Sequence, residues 1–318
     1  MRTKKREVPV YIMTGFLESG KTSFINDTVH QDYFRINGKT LIINCESGEE
    51  EYDEADLRKE NTFVYNVEEQ EDFNNEVLAE LDRKYLPERV IIEFNPLWNM
   101  KTFDEVTPPD SWEIIQTIVT VDGSTFQVYR TNMRSLFGKM CKKADLVMIN
   151  RCTEDMPLGD FRRAIKAANP ATDVAFERTD HQMIDLFEDT VPYDLEADPI
   201  VIDDIDYGIF YIDLRDNPDR YRGKRVRFRG KLMKSRHFGS SEFVAGRMAM
   251  TCCAADTSFI GYVCIGKQAE PFNTGDYVEV TAKVDWKFRK EYRGKGPVLI
   301  VESCSACEPP ESDMVYFN

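Results

Sequence analysis

Gly15-Phe16-Leu17-Glu18-Ser19-Gly20-Lys21-Thr22 has the spacing G-x-x-x-x-G-K-[ST]. Val8, Val10, Tyr11, Ile12 and Met13 precede it and read as a short buried strand, and residues 23–30 follow as the start of a helix. A strand, a glycine-rich turn and a helix in that order build a phosphate cradle. Glycines let backbone N–H groups turn tightly toward a phosphate chain, and the helix N-terminus adds positive potential. Lys21 is expected to reach the outer phosphates, and Thr22 to offer its hydroxyl to Mg²⁺. The candidate cradle is therefore Gly15, Glu18, Ser19, Gly20, Lys21, Thr22 and Ser23, with Lys21 also a candidate catalytic residue. The competing reading is an ordinary glycine-rich strand–helix turn.

Downstream, buried-strand patterns recur at 39–44, 89–93, 114–121, 145–151 and 174–177, with a short edge strand at 63–66. Helical patterns fall between them at 72–85, 125–143 and 161–168. Strands buried on both faces and alternating with helices predict an α/β fold with a mostly parallel sheet. Ligands of such sheets bind at the carboxyl ends of the strands. At the end of the second strand lies the acidic run Cys45-Glu46-Ser47-Gly48-Glu49-Glu50-Glu51-Tyr52-Asp53, a candidate switch loop with carboxylates for a metal–phosphate centre. Glu93 ends the strand 89–93 and is expected to hold the Mg²⁺ shell or position the attacking water. Glu46, Glu93 and Thr22 are the candidate Mg²⁺ ligands, and Glu49 and Glu93 join Lys21 as candidate catalytic groups.

The chain of 318 residues is long enough for two domains, and its net charge of −15 disfavours nucleic acid as the main partner. No apolar run approaches the length of a membrane span, and residues 8–13 are too few for a signal-peptide core. A cytoplasmic protein is expected. Eight cysteines without a secreted framework then read as free thiols or metal ligands.

These pieces together resemble the CobW-like (CobW/HypB/UreG) branch of P-loop GTPases, over roughly residues 8–180. The family's G-F-L-G-A-G-K-T loop corresponds to residues 15–22, its N-E-x-G-E segment to 44–49, and its E-T-S-G segment to Glu93-Phe94-Asn95-Pro96. Its V-V-D strand end corresponds to Thr120-Val121-Asp122 and its N-P-x-A turn to a run beginning Asn169-Pro170-Ala171. The base-reading N-K-x-D is matched in part by Asn150-Arg151-Cys152-Thr153, which makes Asn150 and Arg151 candidate nucleotide contacts. Three departures stand out. The family's C-x-C-C metal motif is absent, Pro96 lacks an N–H donor, and Thr153 replaces the aspartate that accepts from guanine. The resemblance implies GTP and Mg²⁺ as cofactors, slow hydrolysis, and work in metal homeostasis or metallochaperone-type transfer.

After an acidic, proline-punctuated stretch the pattern changes to period-two strands at 208–214, 226–233, 243–252, 261–265, 277–284 and 298–301, with no long helix evident. A small all-β, OB-like barrel is expected. The domains are then 1–190 (P-loop GTPase), 191–206 (acidic linker) and 207–318 (β-barrel). This half resembles the carboxy-terminal domain of YcgQ-type proteins, which accompany permeases, through 223–230, 247–256 and 314–317. Cys252, Cys253, Cys304 and Cys307 are candidate Zn²⁺ ligands; the alternative is small buried hydrophobes in strands. The basic run 220–236 has three readings: a solvated face, a dock for acidic chain, or a single-strand nucleic-acid face.

The leading expectation is a GTP-binding protein with a metal-client or permease partner and self-association as a homo-oligomer. Two alternatives stay open: a P-loop ATPase or kinase without guanine preference, and a non-enzymatic adapter acting through the OB-like domain.

Overall fold

The structure is a computed structural model that describes residues 6–48, 50–98, 105–185, 190–250, 257–292 and 294–317. The chain divides into two compact units, one of residues 1–158 with 171–185, the other of residues 159–170 with 186–318.

The first unit is built on β1 (Val8–Thr14), β2 (Thr40–Asn44), β3 (Thr62–Asn66), β4 (Arg89–Glu93), β5 (Trp112–Asp122), β6 (Leu146–Cys152), β7 (Asp173–Arg178) and β8 (Met183–Ile184). Their order in the sheet is β3-β2-β4-β1-β5-β6-β7-β8. Every pairing is parallel except β7 with β8, which closes a short hairpin. The helices are α1 (Lys21–Val29), α2 (Glu54–Leu57), α3 (Asn75–Tyr85), α4 (Phe126–Asn132) and α5 (Arg134–Lys143).

Continuous apolar strands form because both faces are covered. Val10, Ile12, Leu41, Ile43, Val90 and Ile92 enter one core cluster, while Met13, Ile42 and Ile91 enter the other with Ile25 of α1. Each such side chain contributes about 1.5–3 kcal/mol by leaving water. α3 starts where the Asn74 side chain accepts from Val77 N–H, and it stops at Leu86 in the left-handed region. The single helix expected over 125–143 is two helices, broken at Met133.

The second unit holds α7 (Tyr207–Asp216) and, from residue 159 on, α6 (Leu158–Ala168). Its strands are β9 (Ile200–Val201), β10 (Arg225–Met233), β11 (Glu242–Met250), β12 (Thr257–Ile265), β13 (Tyr277–Arg289), β14 (Gly294–Ala306) and β15 (Met314–Tyr316). Pairings run from β10 to β11, β12, β14, β13 and back to β10, so five strands close on themselves. All are antiparallel except β12 with β14. β9 and β15 add as parallel strands to β10 and β11.

The strand expected at 208–214 is instead the helix α7. Its Tyr207, Phe210 and Leu214 pack into the core with Phe228, Phe243, Tyr262 and Leu299. In so short an apolar run, spacing by two and spacing by three or four select overlapping residues. The run 191–206 contains β9, so part of this acidic stretch is ordered into the sheet.

Candidate functional site

The turn between β1 and α1 is held by its neighbours on all sides. Ser19 Oγ lies 2.7 Å from Thr120 Oγ1, and Asn150 Nδ2 donates to the Ser19 carbonyl at 2.8 Å. Arg151 donates to the Glu18 carbonyl at 2.9 Å and pairs with Asp122 at 2.6 Å. Gly20 has φ +84°, and a Cβ there would lie 2.5 Å from Asn150 Nδ2. A Cβ on Gly15 would lie 2.3 Å from the Thr120 carbonyl. Both glycines are demanded by this close packing.

Lys21 opens α1 and is 3% exposed. Its ammonium donates to the carbonyls of Gly15 (2.8 Å) and Phe16 (2.9 Å) and pairs with Glu46 Oε2 at 2.6 Å. Thr22 Oγ1 donates to Glu93 Oε1 at 2.9 Å. Glu93 reaches the loop because β4 pairs directly with β1, with Met13 opposite Glu93. Tyr52 donates its phenol hydroxyl to the other oxygen of Glu93, and Ser23 donates to Glu50. Lys21, Thr22, Glu46, Glu50, Glu93 and Arg151 line a recess of about 250 Å³.

Burial pushes the Glu93 carboxyl above the usual range, against hydrogen bonds from Tyr52 and Thr22 and the Lys21 charge. Burial, then the Glu93 charge, pushes the Tyr52 phenol well up. Cys45 is raised for the same reasons, which makes it a neutral thiol beside the acidic pair. Asp122 is buried in part, yet Ser124 and Arg151 hold its carboxyl low.

A second, larger recess of about 910 Å³ opens beside the loop. Phe24 of α1, Asn150 and Arg151 at the end of β6, and Glu177, Arg178 and His181 of the β7–β8 hairpin line it.

Of the residues singled out in the sequence, Gly15, Glu18, Ser19, Gly20, Lys21, Thr22, Ser23, Glu46, Glu93, Asn150 and Arg151 meet around this turn. Glu49 lies outside the described residues, as do Cys252 and Cys253. Cys304 sits on β14 and Cys307 just after it, both half-buried. Burial pushes the Cys304 thiol up to about 11 and raises Cys307 as well. Among the described residues no group of three His, Cys, Asp or Glu side chains converges on a metal-sized site. Cys264 is buried in the core of the second unit.

Sequence reasoning placed Glu50 and Tyr52 in the candidate switch loop without singling either out, and it missed Asp122 as partner of Arg151. Tyr52 carried a weak signal as the one aromatic residue of the acidic run 45–53. The pairing of Asp122 with Arg151 depends on which strand ends become neighbours, which no local pattern encodes.

Three residues of the basic run 220–236, Lys224, Arg225 and Arg229, pair with the acidic stretch before it. Arg225 grips Asp198 with two bonds of 2.7 and 2.8 Å, and Lys224 reaches Glu196 at 3.1 Å. Asp204 takes both Arg229 and Arg247. No described helix is long and apolar enough to cross a membrane.

Residues 9–174 match the family described as CobW/HypB/UreG, nucleotide-binding domain, and residues 178–317 match the DUF1980 C-terminal domain. A comparison with curated proteins found no match. Among solved structures, the hydrogenase maturation factor HypB from Archaeoglobus fulgidus is 17% identical, over 56% of this chain and 85% of that one, with a TM-score of 0.39. The Zn(II)-bound YjiA GTPase from E. coli is 16% identical, over 80% of this chain and 89% of that one, with a TM-score of 0.42. The phosphate-loop geometry and the match over residues 9–174 agree: the chain belongs to the CobW/HypB/UreG family of nucleotide-binding domains, with a DUF1980 C-terminal domain joined to it.

Proposed function

We propose that the chain binds GTP with Mg²⁺, hydrolyses it slowly, and uses the cycle in metallochaperone-type metal traffic in the cytoplasm. One observation carries the reading. Lys21 and Thr22, the two side chains that a triphosphate and its Mg²⁺ would engage, are each bonded to a carboxylate, Glu46 and Glu93, inside one recess. These contacts keep an ammonium and a hydroxyl poised until phosphate displaces them.

The donor set fits Mg²⁺. Thr22 Oγ1 and Glu93 Oε1 are hard oxygens 2.9 Å apart, and Glu46 stands beside Lys21. Thr22 and Glu93 would hold the ion, directly or through water, and it would neutralise charge on the phosphates. Lys21 would draw the outer phosphate oxygens toward α1, whose first residues, Lys21 and Thr22, line the same recess. Glu93, which lines the recess and is held in place by the Tyr52 hydroxyl, is suited to orienting a water. Glu49 keeps its candidate role in the same loop.

In this reading the second unit presents the client or permease surface. Its strand ring, with the third and fifth strands parallel, supports an OB-like assignment. Cys252, Cys253, Cys304 and Cys307 are the proposed cargo-zinc ligands.

Calorimetric titration of the full chain with GTP and with ATP, each with Mg²⁺, tests the proposal. Binding of GTP that is lost in Lys21→Ala supports it. Absence of binding by both nucleotides overturns it. Equal affinity for the two favours the ATPase alternative.

A further inference from the structure

We propose that Glu177 is the carboxylate that reads the nucleobase, and that it selects guanine. The inference rests on triphosphate binding at residues 15–22 and names the base that goes with it.

The position occupied by the family's base-reading aspartate is Thr153 in this chain. Thr153 is exposed, its hydroxyl bonds Asp155, and it does not line the recess beside the loop. The recess nonetheless contains a carboxylate at a strand end. Glu177 follows Phe176 on β7, and Phe176 pairs with Ile149 just before Asn150 on β6. After that pair the register shifts, so that Cys152 comes opposite Arg178, and this irregularity at the ends of two parallel strands carries Asn150 and Glu177, which both line the 910 Å³ recess.

Their chemistry is complementary to one base. Guanine presents N1–H and its 2-amino group on one edge, and a carboxylate accepts both. Adenine presents the N1 lone pair there, which a carboxylate repels. Glu177 is 21% exposed, so a base stacked above it would complete its desolvation and strengthen the contact. His181 Nδ1 lies 3.2 Å from Glu177 Oε1 and fixes the side chain's direction. Asn150 commits Nδ2 to the loop, while its Oδ1 is a buried acceptor with no hydrogen-bond partner among the described residues. Phe24 on α1 supplies an aromatic wall. Asp27, the other carboxylate of the recess, is exposed on α1 rather than set at a strand end.

The test uses the full chain with Mg²⁺ and titrates GTP, ITP, XTP, ATP and tripolyphosphate. The wild type should prefer GTP over ITP, which lacks the 2-amino group, and over XTP and ATP. Glu177→Gln should weaken GTP by about tenfold to a hundredfold and narrow the gap to XTP, whose C2 carbonyl an amide can meet. Tripolyphosphate binding should not change, which also verifies that the variant is folded. Glu177→Asp should give an intermediate loss with XTP still rejected, a result that a merely structural carboxylate would not produce. Thr153→Ala should leave all ratios as they are. Unchanged base ratios in Glu177→Gln, or altered ratios in Thr153→Ala, would overturn this inference while leaving phosphate binding intact. A wild type that binds neither GTP nor tripolyphosphate would remove both.

Discussion

Lys21 Nζ lies 2.6 Å from Glu46 Oε2, with both side chains nearly out of contact with water. The residue that opens α1 is thus neutralised by the first carboxylate of the acidic loop. In the proposed reading, phosphate binding is an exchange of anions on one ammonium.

Glu46→Gln keeps the shape and removes the competing charge. In chelator, affinity for a nucleoside diphosphate should rise about tenfold, because Lys21 no longer leaves an ion pair. The ligand-free protein should become less stable by about 1–3 kcal/mol, since the two loop carbonyls compensate the buried ammonium only in part. Titration and thermal melts measure the two changes, which should have opposite signs. If both stay flat, the pair does not govern the loop.

Glu93 carries a pH signature. Its carboxyl is raised by burial, so the folded state holds the proton more tightly than the unfolded chain does. Stability tied to this group is present at low pH and declines as pH rises from the ordinary carboxylate range through the raised value. In chelator, the wild type should lose more thermal stability than Glu93→Gln does as pH is raised from the ordinary carboxylate range. Adding Mg²⁺ with nucleotide should stabilise the wild type more than the variant, which keeps Lys21 and Thr22 but lacks the charged ligand. Parallel melting curves for the two proteins as pH rises would contradict the role given to burial.

The phosphate loop was legible because its chemistry is local: glycines, an ammonium and a hydroxyl at fixed spacing between a strand and a helix. Glu93 was legible for a similar reason, as an acid ending a β-branched strand, and the pairing of β4 with β1 then brought it to Thr22. Tyr52 was not, because its value lies in a contact with Glu93 across 41 residues. The role proposed for Glu177 was hidden in the same way, since it depends on β6 and β7 being neighbours. In the second unit the strand pattern between 225 and 306 was readable, but the run 207–216 was not. There Tyr207, Phe210 and Leu214 are buried on one helical stripe, and the tertiary core decided between two periods that the local sequence left equal.

Gly20 separates backbone strain from steric exclusion. At φ +84° an alanine costs about 1–2 kcal/mol by conformation alone, and its Cβ would also displace Asn150. Gly223, at φ +80° with nothing within 4 Å of a Cβ, provides the backbone-only control. In urea melts Gly20→Ala should therefore destabilise more than Gly223→Ala, and only the former should weaken nucleotide binding. Equal effects would mean that the Asn150 contact has no weight.

The acidic stretch docked on the basic strand provides the last prediction, because two of its ion pairs differ in burial. Asp198 meets Arg225 in solvent, with 65% and 41% of the side chains exposed. Asp204 meets Arg247, which is 2% exposed, lies over the Tyr207 ring and also donates to the Ser312 carbonyl. Removing the exposed partner should cost little, since screened surface pairs contribute under about 1 kcal/mol. Removing Asp204 strands a guanidinium inside the unit and should cost about 3 kcal/mol or more. Asp204→Ala should thus lower the denaturation midpoint of the second unit far more than Asp198→Ala does. Replacing both partners, as in Asp204→Ala with Arg247→Met, should recover much of the loss, because the buried charge is then gone. Equal costs for the two aspartates would show that Arg247 finds other compensation and that the stretch is held by β9 pairing alone.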